Sequence, residues 1–283
     1  RDWAKGAYKI VVDIDKNELD KPTLSPDMKV HADVKDLMQA LLRRIEAGAY
    51  KRDDAEVKSH KDWLSSSRAL NEKYPAVLPE YYEDKELNPY VFVKELFTAA
   101  ADDEIVITGN GSACVIGFQG AVIKDHTRLF TNSGCASMGY GLPAALGAAV
   151  AMKEPKDIHS SIKNDGSKED LAVSDGEKTG HRVVCLDGDG SLMMNLQELQ
   201  TIRENDLNLK LIVLNNNGYH SIRQTQNNLF KDGLVGVCKG NGVSFPPFDK
   251  LADTFGFKYL RIDSTDGIVD KLKGVLDTDG PVL

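Results

Sequence analysis

A doubly wound parallel α/β sheet is the fold class that the sequence predicts, from three observations. Short runs of Val, Ile and Leu recur without polar alternation, as strands covered on both faces must read. Stretches with helical spacing separate those runs, and parallel neighbours require such crossovers. Two of the runs end in turns rich in Gly, Asp and Asn, at the strand ends where a doubly wound sheet holds its ligand.

Taken in order, Tyr8 to Asp15 (YKIVVDID) reads as a buried strand. Val34 to Ala47 places Leu37, Leu41, Leu42 and Ile45 on one helical face. Together they are expected to close an α/β domain over residues 1–50. From residue 51 to 86 the chain turns polar, and Pro75 and Pro79 would break a helix, so a linker is expected there. The second domain, 87–283, is expected to alternate. Its first half gives a helix over Pro89 to Ala101, a strand Glu104 to Thr108, a helix from Ser112, a strand Leu129 to Thr131 and a helix from Gly141. Its second half gives strand Val183 to Asp187, helix Leu192 to Glu204, strand Lys210 to Asn215, a helix near Tyr219, helix Phe248 to Phe255 and strand Tyr259 to Ile262. The terminal GPVL reads as the start of one more strand. Residues 153–181 interrupt the alternation with a polar, charged surface excursion.

At 283 residues and 41% hydrophobic the chain can bury a substantial core. A net charge of −8 argues against nucleic acid or an anionic membrane as partner, because phosphate neutralisation needs clustered Lys and Arg. Cys114, Cys135, Cys185 and Cys238 lie far apart with no CxxC pair, as expected of reduced thiols in a cytoplasmic protein. No apolar stretch is long enough for a membrane helix, and RDWAKGAYKIVVDID lacks the regions of a signal peptide. It also lacks an initiator Met, so the chain is expected to begin within a longer protein.

The chemistry is concentrated where strand VVCLD runs into Gly188-Asp189-Gly190-Ser191 and strand LKLIVL runs into Asn215-Asn216. Two neighbouring strand ends then offer a carboxylate and a carboxamide oxygen to one point, a donor set suited to Mg2+ shared with phosphate oxygens. Glycines beside Asp189 allow close backbone approach, and Ser191 at a helix start offers an N–H group. A calcium loop of EF-hand type does not fit, because Leu192 stands where its glycine is required. A further loop, Thr108 to Cys114 (TGNGSAC), leaves a strand and opens a helix. On its own it suits an anion or, as a rival reading, the dinucleotide of an NAD-binding oxidoreductase. Cys114 replaces the third glycine of that fingerprint, and no acidic residue ends the next strand near Asn132.

GDG and NN separated by the twenty-four residues Ser191 to Leu214 resemble the metal motif of thiamine diphosphate (ThDP) enzymes. The segment TNSGCASMGYGLPAALGAAV (Thr131 to Val150) is similar to one found in the acetolactate synthase family. So are residues 7–42, like the end of that family's middle domain, and VSFPPFDKLADTFG (Val243 to Gly256). The resemblance implies that Asp189, the Asn216 side chain and the Gly218 carbonyl hold Mg2+. It implies cofactor contacts from Gly111, Ser112, Ala113 and Cys114, from Gly188, Gly190 and Ser191, and from Tyr219. Met138 would prop the two cofactor rings in a bent shape, with its N–H and the Ala136 carbonyl on the pyrimidine. His220 would move protons. The implied activity is decarboxylation of a 2-oxo acid and ligation of the acyl carbanion equivalent to an acceptor carbonyl. A non-ligating decarboxylase and a non-catalytic ThDP-binding subunit are the alternatives. The family's activating Glu lies in an upstream pyrimidine-binding domain with no counterpart here, so this chain alone is expected to be inactive and to act in an oligomer. FAD binding stays open. Thr225 stands where biosynthetic acetolactate synthases carry a Trp that selects the second keto acid.

Overall fold

The parallel sheet at the centre of the computed structural model has the order β4-β3-β5-β6, built from β3 (Ile105–Thr108), β4 (Arg128–Phe130), β5 (Val183–Gly188) and β6 (Leu209–Leu214). The structure describes residues 4–153, 182–230 and 233–283. The chain forms two compact units, Arg1–Tyr74 and Pro75–Leu283.

In the second unit the sheet is covered on both faces. β5 is the central strand, with Val183, Val184, Cys185 and Leu186 fully buried. Its alternate side chains serve opposite cores. Val183 and Cys185 pack among residues of α6 (Gly141–Lys153), α8 (Glu198–Glu204) and α10 (Phe248–Phe255), with Leu142, Ala145, Leu199, Ile202 and Leu251. Val184 and Leu186 pack with α4 (Pro89–Ala99), α5 (Ser112–Gly120) and α11 (Ile268–Leu276), through Phe92, Leu96, Ile116 and Leu272. Such two-sided burial is why these strands read as unbroken apolar runs.

The chain moves outward from β3 to β4, then returns to place β5 on the other side of β3. The reversal opens a crevice between the carboxyl ends of β3 and β5, the expected position for a ligand. Beyond β6, Leu211 N–H donates to the Val282 carbonyl, and Leu260 N–H donates to Leu283. Val282 bridges Lys210 and Lys258, so GPVL does begin to pair as a strand. The strand expected at Tyr259 to Ile262 is reduced to a single bridge at Lys258.

The first unit holds β1 (Ile10–Asp13) paired in parallel with β2 (Met28–His31), with α1 (Lys16–Leu19), α2 (Val34–Glu46) and α3 (Asp54–Lys73). The expectation of a buried strand near its start is corrected here: Tyr8 is 71% and Ile10 59% exposed. Met38, Leu41, Leu42 and Ile45 leave the apolar face of α2 largely open. The linker expected at 51–86 contains the longest helix described, α3. It starts at a capping box in which Asp53 accepts from the Glu56 N–H and Glu56 accepts from the Asp53 N–H. Pro75 and Pro79 follow its end rather than interrupting it. The expected helix Leu192 to Glu204 starts earlier, as α7 (Asp189–Leu192), and continues through one 3-10 turn, Met193–Asn195, before α8. The polar excursion from 154 to 181 lies outside the described residues.

Candidate functional site

All four strands of the second unit deliver their carboxyl-end loops to one cleft. It is lined by Gly111, Ser112 and Ala113 after β3, Met138 after β4, Gly188 to Ser191 after β5, and Asn216 and Gly218 to His220 after β6. Twelve of the fourteen residues singled out in the sequence therefore line one concavity. Cys114 and Ala136 do not. The Cys114 sulfur accepts from the Thr131 hydroxyl at 3.3 Å, and Ala136 is exposed with φ +51°. Asn110, within the loop Thr108 to Cys114, also lines the cleft, as do Leu214, Ser221 and Ile222, none of them singled out by the sequence.

Asp189 is 1% exposed and staples two strand ends together. One carboxylate oxygen accepts from the Gly190 N–H at 2.7 Å, the other from the Asn216 and Gly218 N–H groups at 3.0 and 3.1 Å. Burial raises its pKa, while these backbone donors pull it down. The Asn216 side-chain oxygen is buried and has no hydrogen-bond partner. An orphaned amide oxygen costs about 1–3 kcal/mol unless something occupies it. A carboxylate and an unsatisfied carbonyl-type oxygen on two tied strand ends are a donor set suited to a hard cation. Among the described residues no group of three or more His, Cys, Asp or Glu is placed to hold a metal ion.

Glycines shape the walls of the cleft. A Cβ on Gly190 would lie 2.3 Å from the Tyr219 ring. A Cβ on Gly218, at φ +153°, would lie 2.0 Å from the Val237 carbonyl, which accepts from the Tyr219 N–H. Gly218 also bridges Cys238 in antiparallel fashion, so the 237–238 segment fixes the Gly218 backbone. Gly111, at φ +59°, precedes α5, whose first turn has no side-chain cap and lines the cleft with Ser112 and Ala113.

Asp187, which the sequence reading did not single out, lies fully buried behind the cleft. Burial pushes its carboxyl up to about 6, against hydrogen bonds from Ser191 and the Gly188 N–H. One of its oxygens has no partner. Its carboxyl occupies the space that side chains on Gly109 and Gly141 would fill, at 1.9 and 2.7 Å. His220 opens α9 (His220–Leu229), and its Nδ1 lies 3.3 Å from the Arg223 guanidinium, which also donates to the Asn216 carbonyl. Arg223 therefore braces the loop after β6.

A doubly wound sheet whose switch-point loops line one cleft beside an acid-amide pair defines an α/β protein of the class that takes its ligand at the carboxyl ends of the strands. Residues 109–283 match the family model "Thiamine pyrophosphate enzyme, C-terminal TPP binding domain". The chain belongs to the thiamine pyrophosphate enzymes, and within them it is the C-terminal part of an acetolactate synthase-like protein. It is 27% identical over 282 residues to the acetolactate synthase large subunit of Cyanidium caldarium, covering 100% of this chain and 42% of that relative. It is 31% identical over 231 residues to the mitochondrial acetolactate synthase of Schizosaccharomyces pombe, covering 81% of this chain and 30% of that relative. With the isozyme 1 large subunit of Escherichia coli it shares 26% over 281 residues, 99% of this chain and 42% of that relative. The chain thus spans less than half the length of these relatives. The family match favours ThDP over the dinucleotide as the bound group. No helix among the described residues is long and apolar enough to cross a membrane.

Proposed function

We propose that this chain is the diphosphate- and Mg2+-binding portion of an enzyme that decarboxylates a 2-oxo acid and joins the resulting acyl unit to an acceptor carbonyl. The observation that carries the metal assignment is the buried, partnerless Asn216 oxygen, on the loop whose backbone N–H groups hold the Asp189 carboxylate. Asp189, Asn216 and the Gly218 carbonyl would hold the ion. ThDP, when bound, supplies the electron sink for decarboxylation. The chain's own residues bind and orient: Ser112 and Ala113 offer backbone N–H groups to the diphosphate, and Met138 supports the rings. Arg223 only donates, so the His220 Nδ1 facing it accepts, and a neutral ring carries its proton on Nε2. His220 lines the cleft, and proton transfer there is the role proposed for it.

Asp189 is the only carboxylate lining the cleft among the described residues, and it is committed to the backbone and the ion. The acid that activates the aminopyrimidine is therefore proposed to come from a pyrimidine-binding domain, of the same or a second chain. Exposed Val115, Phe118, Val122 and Ile123 support a covered face in an oligomer. Free cysteines at all four positions support a reducing compartment such as the cytoplasm. FAD has no supporting feature among the described residues. The alternative of a decarboxylase that does not ligate differs only in the acceptor.

The test is calorimetric titration of ThDP into the full-length protein with Mg2+ and with a chelator, followed by pyruvate turnover with and without an added aldehyde. Metal-dependent uptake and a ligated product are expected. Uptake that ignores the metal would overturn the ligand assignment, and release of free aldehyde alone would select the decarboxylase.

A further inference from the structure

Both backbone polar groups of Gly139 are held by one short segment that follows the candidate metal residue. The Gly139 N–H donates to the Ser191 hydroxyl at 2.9 Å, in a buried contact. The Asn195 side-chain amide donates to the Gly139 carbonyl at 2.7 Å. Gly139 sits at φ +80°, and a Cβ there would lie 2.7 Å from Met194 Cβ and 2.8 Å from the Asn195 amide nitrogen. The loop after β4 is therefore seated directly on the segment 189–195, with a residue that only glycine can supply. Met138, the residue before this clamp, lines the cleft, whereas Asn195 does not.

We infer that Asn195, assisted by Ser191, is a positioning residue that fixes Met138 relative to Asp189. The support for the cofactor rings and the anchor for its diphosphate then form one piece, spanning the carboxyl ends of β4 and β5. Asn195 touches neither cofactor nor substrate; it acts through the Gly139 peptide. Its amide is chosen by the geometry, since a donor is required toward a carbonyl and Asp of the same shape cannot provide one. The inference rests on the reading of Met138 as the ring support.

That dependence sets the experiment, done on the full-length protein with Mg2+ throughout. Affinities for ThDP and for inorganic pyrophosphate are compared in wild type, N195D, M138A and the double variant. N195D is expected to weaken ThDP about tenfold, the scale of one lost hydrogen bond in a buried setting, and to leave pyrophosphate within about twofold. In the M138A background the same change is expected to have almost no further effect on ThDP, because its route of action is gone. An equal loss for both ligands, no loss for either, or the same tenfold loss with and without Met138 would overturn the positioning role. Wild type that binds pyrophosphate as tightly as ThDP would instead remove the ring-support reading itself, and this inference with it. If N195D fails to fold, N195S deletes the same donor, and its pyrophosphate affinity reports whether the cleft is intact.

Discussion

The two edges of the central sheet treat buried polar groups in opposite ways. At the amino edge each is answered. Glu104, just before β3, receives the Arg182 guanidinium through both oxygens, with Arg182 Nη2 at 2.8 Å from Oε2, and Arg182 reaches on to the Leu276 carbonyl. Lys210, fully buried near the start of β6, donates to the Asn208 side chain and to the Thr278 and Gly280 carbonyls. At the carboxyl edge Asp187 and Asn216 each retain a buried oxygen without a partner. Native interiors rarely leave such atoms unsatisfied. The edge that ties the elements together is thus separate from the edge whose loops line the cleft, and polar satisfaction distinguishes them.

The strongest way to break this contrast is to remove Asp189. D189A is expected to weaken Mg2+-dependent ThDP uptake at least about a hundredfold, roughly the 3 kcal/mol of a lost charged anchor, measured by calorimetry. Undiminished uptake would contradict the assignment of the carboxyl edge. At the other edge, R182M leaves Glu104 buried without its charge partner and should lower unfolding free energy by about 3 kcal/mol. Denaturant melts check this, and ThDP affinity of the folded protein should stay unchanged.

Lys210 sharpens the comparison through pH. Burial holds its ammonium down to about 8, with the nearby Arg182 charge adding to the effect. A folded pKa below the unfolded one means that the contribution to stability is present above the unfolded value, and is lost as pH falls through about 8. Wild type should therefore gain stability relative to K210M, by about 2 kcal/mol, as pH rises from 8 toward 10.5. Urea melts across that range would show parallel curves if the premise is wrong. The smallest effect belongs to N216A. Deleting an unsatisfied oxygen should leave ligand-free stability within about 1 kcal/mol of wild type, while Mg2+-dependent ThDP binding falls about tenfold. A large loss of ligand-free stability would place Asn216 with the amino edge instead.

The sheet and the acid-amide pair were legible because both are written locally: apolar runs set the strands, and Asp189 and Asn216 stand directly at strand ends. The helix α3 was missed because its composition is polar throughout, although its capping signature, Asp53 with Glu56, is in the sequence. The exposure of Tyr8 and the α2 face could not be read, since periodicity says which residues share a face and not whether anything covers it. Asp187 was read only as the last residue of a strand. Its wedge between Gly109 and Gly141 depends on strands brought together by crossovers, as does the Asn195 contact with a carbonyl 56 residues away.

The three backbone donors on Asp189 have a consequence for how quickly the centre loads. They hold the carboxylate and tie the loop after β6 to it, so binding of the proposed ion would freeze little that is still free. Such preorganisation lowers the entropic penalty of capture. Metal and cofactor should then assemble in a single fast phase limited by encounter, with no slow rearrangement of the strand ends to follow.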